Sequence, residues 1–118
     1  MAKILVIDDA KFTRFMLINV LQKDGHTILE AGDGQEGMER ILAENPDLVI
    51  TDLLMPVMDG IQLLAAMKKK KLTTPVIVMT SNIQESVRQQ CLTAGARAFA
   101  NKPPNPDELL RLVQGILS

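Results

Sequence analysis

ILVIDD, from Ile4 to Asp9, is an apolar run that ends in two aspartates, and it decides how the rest of the chain is interpreted. Isoleucine and valine are typical of strands that are buried on both faces of a parallel sheet. A second such run, Leu48 to Asp52, again ends in an aspartate. Longer amphipathic stretches with a helical period separate the apolar runs. The alternation predicts an α/β fold in which helices cover both faces of an open, doubly wound parallel sheet.

Five strands and five helices can be placed along the chain. The predicted strands are Lys3 to Asp8, Thr27 to Ala31, Leu48 to Asp52, Pro75 to Met79 and Ala98 to Lys102. The predicted helices are Phe12 to Lys23, Gln35 to Glu44, Ile61 to Lys70, Ile83 to Ala94 and Asp107 to Leu117. The second strand carries Glu30, so we expect it at an edge of the sheet.

Glycine and proline support these helix boundaries. Gly25 and Gly95 follow the first and fourth helices, where a residue of positive φ is favoured. Asn105 and Pro106 provide a cap and a first-turn proline for the fifth helix.

Size and composition limit the class of protein. The chain has 118 residues, of which 47% are hydrophobic, so we expect residues 1–118 to form one domain with one main core. The net charge of -1 gives no basic field, so we expect neither nucleic acid nor a membrane as partner. The single cysteine excludes an internal disulfide, and no apolar run is long enough for a membrane span. We therefore expect a cytoplasmic monomer.

Polar residues follow four of the predicted strands and should meet at one edge of the sheet. Asp8 and Asp9 end the first strand, and Asp52 ends the third. Thr80 follows the fourth strand, and Lys102 ends the fifth. Ligands of an open α/β sheet bind beyond the carboxyl ends of its strands, so these side chains form the candidate site.

The candidate site suits phosphoryl transfer. Clustered carboxylates repel one another by several kcal/mol, about 4 at 4 Å and an effective dielectric of 20, and this repulsion favours a bound cation. Oxygen ligands without His or Cys favour Mg²⁺. A carboxylate beside a metal ion and a lysine can attack phosphorus, so we predict Asp52 as nucleophile, assisted by Thr80 and Lys102. The alternative for each aspartate alone is that it ends a strand or caps a helix.

One motif suggests a different ligand. Gly32 to Gly37 reads GDGQEG, which fits the G-x-G-x-x-G pattern of dinucleotide-binding loops. Asp33 and Glu36 would place negative charge where a pyrophosphate binds, so we favour a turn that leads into a helix.

Four segments together resemble the receiver domain of two-component response regulators, in particular the chemotaxis regulators of the CheY kind. They are ILVIDD (Ile4 to Asp9), DLVITDLLMPVMDG (Asp47 to Gly60), VIVMTS (Val76 to Ser81) and AGARAFANKP (Ala94 to Pro103). The resemblance covers the whole chain. It implies a flavodoxin-like three-layer αβα fold with strand order 2-1-3-4-5.

The resemblance also implies roles for individual residues. It makes Asp52 the phosphoacceptor, with Asp9, Asp52 and the Leu54 carbonyl as direct Mg²⁺ ligands and Asp8 acting through water. Thr80 and Lys102 would contact the phosphoryl group, and Phe99 would change rotamer with Thr80. The resemblance further implies that the Lys102–Pro103 peptide bond is cis. It also implies that Leu54 and Asn82 flank the route by which hydrolytic water reaches the phosphoryl group.

Three functions remain open at this point. The first is a signalling switch, not an enzyme in the usual sense, that is phosphorylated by a sensor histidine kinase and binds a downstream protein such as a motor component or a phosphatase. The surface of the fourth helix, fifth strand and fifth helix would report the state. The second is a small Mg²⁺-dependent phosphatase or phosphotransferase, although Leu53, Leu54 and Met55 offer no acid or base. The third is a degenerate receiver used as a scaffold, which the complete set of site residues disfavours.

Overall fold

The computed structural model of the chain describes residues 1–81 and 84–118. In these residues, five strands alternate with five helices. The strands are β1 (Lys3–Ile7), β2 (Thr27–Ala31), β3 (Leu48–Asp52), β4 (Val76–Thr80) and β5 (Ala98–Asn101). The helices are α1 (Lys11–Lys23), α2 (Gly34–Glu44), α3 (Gly60–Lys69), α4 (Glu85–Thr93) and α5 (Pro106–Leu117). The predicted α/β fold is confirmed.

The strands form one parallel sheet of order β2-β1-β3-β4-β5. This order, implied by the family resemblance, is confirmed, and β2 is an edge strand as its Glu30 predicted. All five residues of β3 and of β4 are buried, which agrees with their apolar sequences. The carboxyl ends of β1 and β3 lie side by side, because Ile7 pairs with Thr51.

Two apolar cores lie on opposite faces of the sheet, giving the three-layer arrangement. Ile4 and Val6 of β1 face one core together with Leu17 of α1 and Leu109 of α5. Leu5 and Ile7 point to the opposite core, formed by residues of α2, α3 and α4. Burying one such aliphatic side chain contributes about 1.5–3 kcal/mol to folding. Because successive side chains of a strand point to opposite faces, this contribution favours covering both faces of the sheet with helices.

Four predicted boundaries, in three of the strands, were wrong by one residue. β1 ends at Ile7 rather than Asp8, although the Asp8 amide still donates to the Ala31 carbonyl at 3.1 Å. β4 begins at Val76 and includes Thr80, because Pro75 has no N–H to donate to the ladder. β5 ends at Asn101, one residue before Lys102, and the Lys102–Pro103 peptide bond is cis as the resemblance implied.

The helix starts are fixed by side-chain caps. Asp33, Asp59 and Asn105 each accept a hydrogen bond from the first turn of α2, α3 and α5. These helices therefore begin at Gly34, Gly60 and Pro106, one residue earlier than predicted, and α1 begins at Lys11. Gly25 and Gly95 have positive φ, as expected after α1 and α4.

The bounds of α3 and α4 differ slightly from those predicted. The described part of α4 begins at Glu85, while Asn82 and the predicted helix start at Ile83 lie outside the described residues. α3 and α4 end one residue earlier than predicted, at Lys69 and Thr93. None of the helices in residues 1–81 and 84–118 has the length and apolar character that crossing a membrane requires.

Candidate functional site

Three aspartates meet at the carboxyl edge of the sheet. Asp8 and Asp9 follow β1, and Asp52 is the last residue of the adjacent strand β3. One carboxylate oxygen from each lies within 4.8 Å of the others. Asp8 has no exposed surface and Asp52 is 7% exposed, whereas Asp9 faces solvent. The cluster therefore has a buried floor and one open side, through which a cation and a phosphoryl donor could enter.

Lys102 supplies the positive charge of the site. It follows β5 at the same edge, and its Nζ lies 2.8 Å from Asp52 Oδ2 and 2.9 Å from Asp8 Oδ2. The contact with Asp52 is a hydrogen bond. Within residues 1–81 and 84–118, Asp8 Oδ2 has this ion pair and no hydrogen-bond donor, so a buried carboxylate oxygen is left able to accept another donor or a metal-bound water.

The aspartates of the cluster do not cap the following helix. The N-cap of α1 is Ala10, which makes no side-chain capping bond. Asp8 Oδ1 accepts instead from the Ala10 amide at 2.8 Å, which fixes the carboxylate before the helix starts. Asp8 and Asp9 precede α1, but neither side chain caps this helix, so the capping interpretation is wrong for these two residues.

Burial and charge act against each other in this site. Burial raises the pKa of the Asp52 carboxyl above its ordinary value, and repulsion from Asp8 adds to the rise, while the hydrogen bond from Lys102 opposes it. Burial alone would lower the pKa of Lys102, but its hydrogen bond to Asp52 and its charge attraction to Asp52 and Asp8 outweigh burial and raise it. Lys102 is therefore a permanent cation, and further positive charge would favour ionised Asp52.

The remaining predicted residues lie on β4, on β5 and in the loop after β3. Thr80 is 2% exposed and ends β4, and its carbonyl accepts from the Lys102 amide at 3.0 Å. Phe99 is half-buried in β5, where it pairs with Val78 and packs on the core beneath α4. Leu54 follows Asp52 in the β3–α3 loop with its side chain 71% exposed. Thr80, Lys102 and Leu54 therefore lie at or beside the cluster's edge, and Phe99 lies three residues before Lys102.

Arg14 is a residue of this region that the sequence analysis missed. From the first turns of α1, its Nη1 donates to the Asp8 carbonyl at 2.6 Å, and its Nε donates to Glu30 Oε1 at 2.9 Å. The available signal was a cation placed one turn into the helix that follows two aspartates. The contact itself depends on the neighbouring position of β2, which sequence spacing alone does not give.

The glycine-rich segment after β2 makes no phosphate cradle. Asp33 accepts from the Glu36 amide at 2.9 Å, and Glu36 in turn accepts from the Gly32 amide at 3.1 Å. Two backbone donors of this turn are thus used by its own acids, whose negative charge also disfavours a phosphate. A Cβ atom on Gly34 would overlap the Met58 carbonyl, so this glycine is required by packing. The turn-and-helix interpretation is confirmed.

Comparison with known proteins agrees with this geometry. Residues 4–114 match the family described as the response regulator receiver domain. Protein PilH of Pseudomonas aeruginosa is 33% identical, covering 100% of this chain and 99% of that protein. Chemotaxis protein CheY of Bacillus subtilis is 34% identical, covering 98% of each. The structure of Vibrio cholerae chemotaxis protein CheY4 superposes with a TM-score of 0.92 at 32% identity, covering 99% of both chains.

Other curated relatives are longer than this chain. It spans 48% of the alkaline phosphatase synthesis transcriptional regulatory protein PhoP of Bacillus subtilis, with 32% identity over 115 residues. It likewise spans 58% of a transcriptional regulator of Pseudomonas aeruginosa at 35% identity. The shared part is in each case a region of receiver length. The family match over residues 4–114, the full-length relatives and the acidic edge of the sheet agree, and the chain belongs to the response regulator receiver domain family.

Proposed function

We propose that this protein is a phosphorylation-operated signalling switch in which Asp52 accepts a phosphoryl group from a histidine kinase. The observation that carries the proposal is the position of Asp52, 2.8 Å from the Lys102 ammonium and grouped with Asp8 and Asp9. Receiver domains in general take phosphoryl groups from histidine kinases and act on downstream targets. The specific kinase and target of this chain belong to the proposal.

The donor set fits Mg²⁺. Carboxylate oxygens from three residues within 4.8 Å of one another suit a hard divalent ion. Receiver domains generally bind Mg²⁺ at such an acidic pocket. In this chain Asp9, Asp52 and the Leu54 carbonyl would hold the ion directly, and Asp8 would act through water. When bound, Mg²⁺ would neutralise charge on the phosphoryl oxygens and on the carboxylates.

The chain's own residues supply the rest of the chemistry. An oxygen of the Asp52 carboxylate attacks phosphorus, and the bond between phosphorus and the donor imidazole nitrogen breaks as the acyl phosphate forms. Lys102 holds positive charge 2.8 Å from Asp52 Oδ2, where the transferred oxygens gain charge. Transfer of this kind depends mainly on positioning and electrostatics, so the absence of a separate base near Asp52 in the described residues is no obstacle.

The switch step involves the end of β4 and the neighbouring β5. The phosphoryl group of an acyl phosphate carries about -1.5 to -2 charges, which attract the Thr80 hydroxyl and Lys102. Thr80 pairs with Asn101, and Phe99 lies two residues before Asn101 on β5. A shift of the β4 end would therefore reach Phe99 through the strand pairing. The output face, defined as α4, β5 and α5, would then differ between the two states and select the downstream partner.

The enzyme alternative has less support. A phosphatase needs an acid or base that turns over the aspartyl phosphate. Next to Asp52 stand Leu53, which is buried, and Leu54 and Met55, which cannot transfer protons. The single histidine of the chain, His26, contacts Ala2 at the opposite edge of the sheet. The switch therefore fits the described site better.

The test is intact mass after incubation with phosphoramidate. We expect one phosphoryl adduct on the wild type in the presence of Mg²⁺, none with a chelator, and none on Asp52→Asn. Asp47→Asn is the matched control, because Asp47 lies at the opposite edge, where it accepts from the Lys3 amide at 2.8 Å. An adduct on Asp52→Asn, or none on the wild type with Mg²⁺, would overturn the proposal.

A further inference from the structure

Arg14 lies beside the acidic cluster without belonging to it. Its side chain is 17% exposed and runs between α1 and the end of β2, where a Cβ on Gly32 would lie 3.8 Å from its Nη1. Two directional bonds hold it there, to the Asp8 carbonyl and to the Glu30 carboxylate. A guanidinium can make both at once, since its donors form a rigid planar fork.

The Asp8 carbonyl is the important contact. It belongs to the peptide unit that joins Asp8 to Asp9, so its direction fixes the plane between two of the three clustered carboxylates. The Arg14 bond to this carbonyl is 2.6 Å long. On its other side, Asp8 is already fixed by Ala10 and Lys102. Asp9, in contrast, is exposed, and its orientation depends on the backbone that carries it.

We propose that Arg14 is a positioning residue for cation binding: by holding the Asp8–Asp9 peptide, it directs the Asp9 carboxylate toward the ion. The proposal rests on the metal site of the proposed function. Groups that orient metal ligands without touching the metal typically change affinity by about 10-fold to 100-fold. Glu30, 50% exposed, holds Arg14 in place and also offsets its charge.

The experiment measures Mg²⁺ affinity by ¹H–¹⁵N NMR titration of the wild type, Arg14→Gln, Arg14→Lys and Val113→Ala. We expect Arg14→Gln to weaken Mg²⁺ binding about 10-fold. Arg14→Lys keeps the charge and can reach one acceptor, so it should recover part of the loss. Val113→Ala leaves a cavity in the core of α5 and serves as the control for lost stability, with unchanged affinity.

A second readout separates positioning from general damage. At saturating Mg²⁺ the rate of phosphoramidate modification of Arg14→Gln should return close to the wild-type rate, because Asp52 and Lys102 are untouched. Equal affinity of the wild type and Arg14→Gln would overturn the inference alone. Equal weakening in Val113→Ala would also overturn it. If the wild type itself bound no Mg²⁺, the metal site of the proposed function would fail and this inference with it.

Discussion

Lys102 ties the end of β5 to the end of β1 by an ion pair of 2.9 Å with Asp8, across the two strands that lie between them. The Asp8 side chain has no exposed surface, whereas that of Lys102 is 23% exposed. A buried carboxylate without a counter-charge is costly, so the ion pair with Lys102 stabilises the site when no cation is bound.

Replacing Lys102 by methionine removes this counter-charge. We expect Lys102→Met to lower the free energy of unfolding by about 2 kcal/mol without divalent ions, as measured by urea denaturation, because Asp8 is left buried and uncompensated. The control is Lys3→Met, which removes a half-exposed pair with Glu44 at 3.6 Å and should cost about 0.5 kcal/mol. Equal losses in the two variants would contradict this account.

The raised pKa of Asp52 predicts a pH-dependent stability. Since burial, reinforced by Asp8, raises the pKa in the folded state, the ionised form is less favourable in the fold than in the unfolded chain. The folded state therefore gains the most from Asp52 when the carboxyl is protonated, below pH 3.8, which is its ordinary pKa. This stability is lost as the pH rises through the raised pKa of the folded state.

The matching variant is Asp52→Asn. Without divalent ions it should be more stable than the wild type at pH 7, and the difference should shrink as the pH falls toward 4. Added Mg²⁺ should stabilise the wild type more than the variant, because a ligand of the folded state raises its stability. Thermal unfolding across this pH range measures both effects, and a pH-independent difference would argue against the assigned cause.

Val57 has a φ of 69° and a side chain that is 72% exposed in the β3–α3 loop. A β-branched residue in the left-handed region is strained. Val57→Asn should therefore raise the free energy of unfolding by about 1 kcal/mol. Leu54→Asn is the control, because Leu54 is 71% exposed and has no positive φ. A similar gain in both variants would assign the effect to polarity rather than to strain.

Two glycines should respond in opposite ways to the same substitution. Gly34→Ala places a Cβ against the Met58 carbonyl, so we expect a loss of about 1–3 kcal/mol. Gly115 lies in α5 with nothing within 4 Å of a new Cβ, so Gly115→Ala should gain about 0.5–1 kcal/mol from helix propensity. Urea denaturation of both variants checks the signs, and a loss in Gly115→Ala would contradict the helix-propensity argument.

Strand composition was sufficient to predict most of the fold. The Val- and Ile-rich runs of β1, β3 and β4 have few alternatives to burial on both faces, and Glu30 placed β2 at an edge. The position of the acidic cluster could be predicted for the same reason, because parallel strands bring Asp8, Asp9 and Asp52 to one edge. The order of the strands, however, came from the family resemblance and not from the pattern.

Contacts between separate elements could not be predicted from spacing. The sequence gives no sign that Asp8 is buried while its neighbour Asp9 is exposed, because this depends on how the loop turns after Ile7. The Arg14 contact with the Asp8 carbonyl also requires β2 to lie beside β1. Thr80 was expected after β4, yet it is the last paired residue, opposite Asn101.

Transmission from Asp52 to the output face is the central claim, and ¹H–¹⁵N NMR tests it most directly. Spectra are recorded with Mg²⁺, before and after addition of phosphoramidate, for the wild type and Asp52→Asn. We predict that the wild-type amides of Phe99 and of α4 and α5 shift together with those around Asp52, and that the variant spectrum does not change. Shifts confined to the loops after β1 and β3, on a protein that carries the phosphoryl group, would contradict the switch.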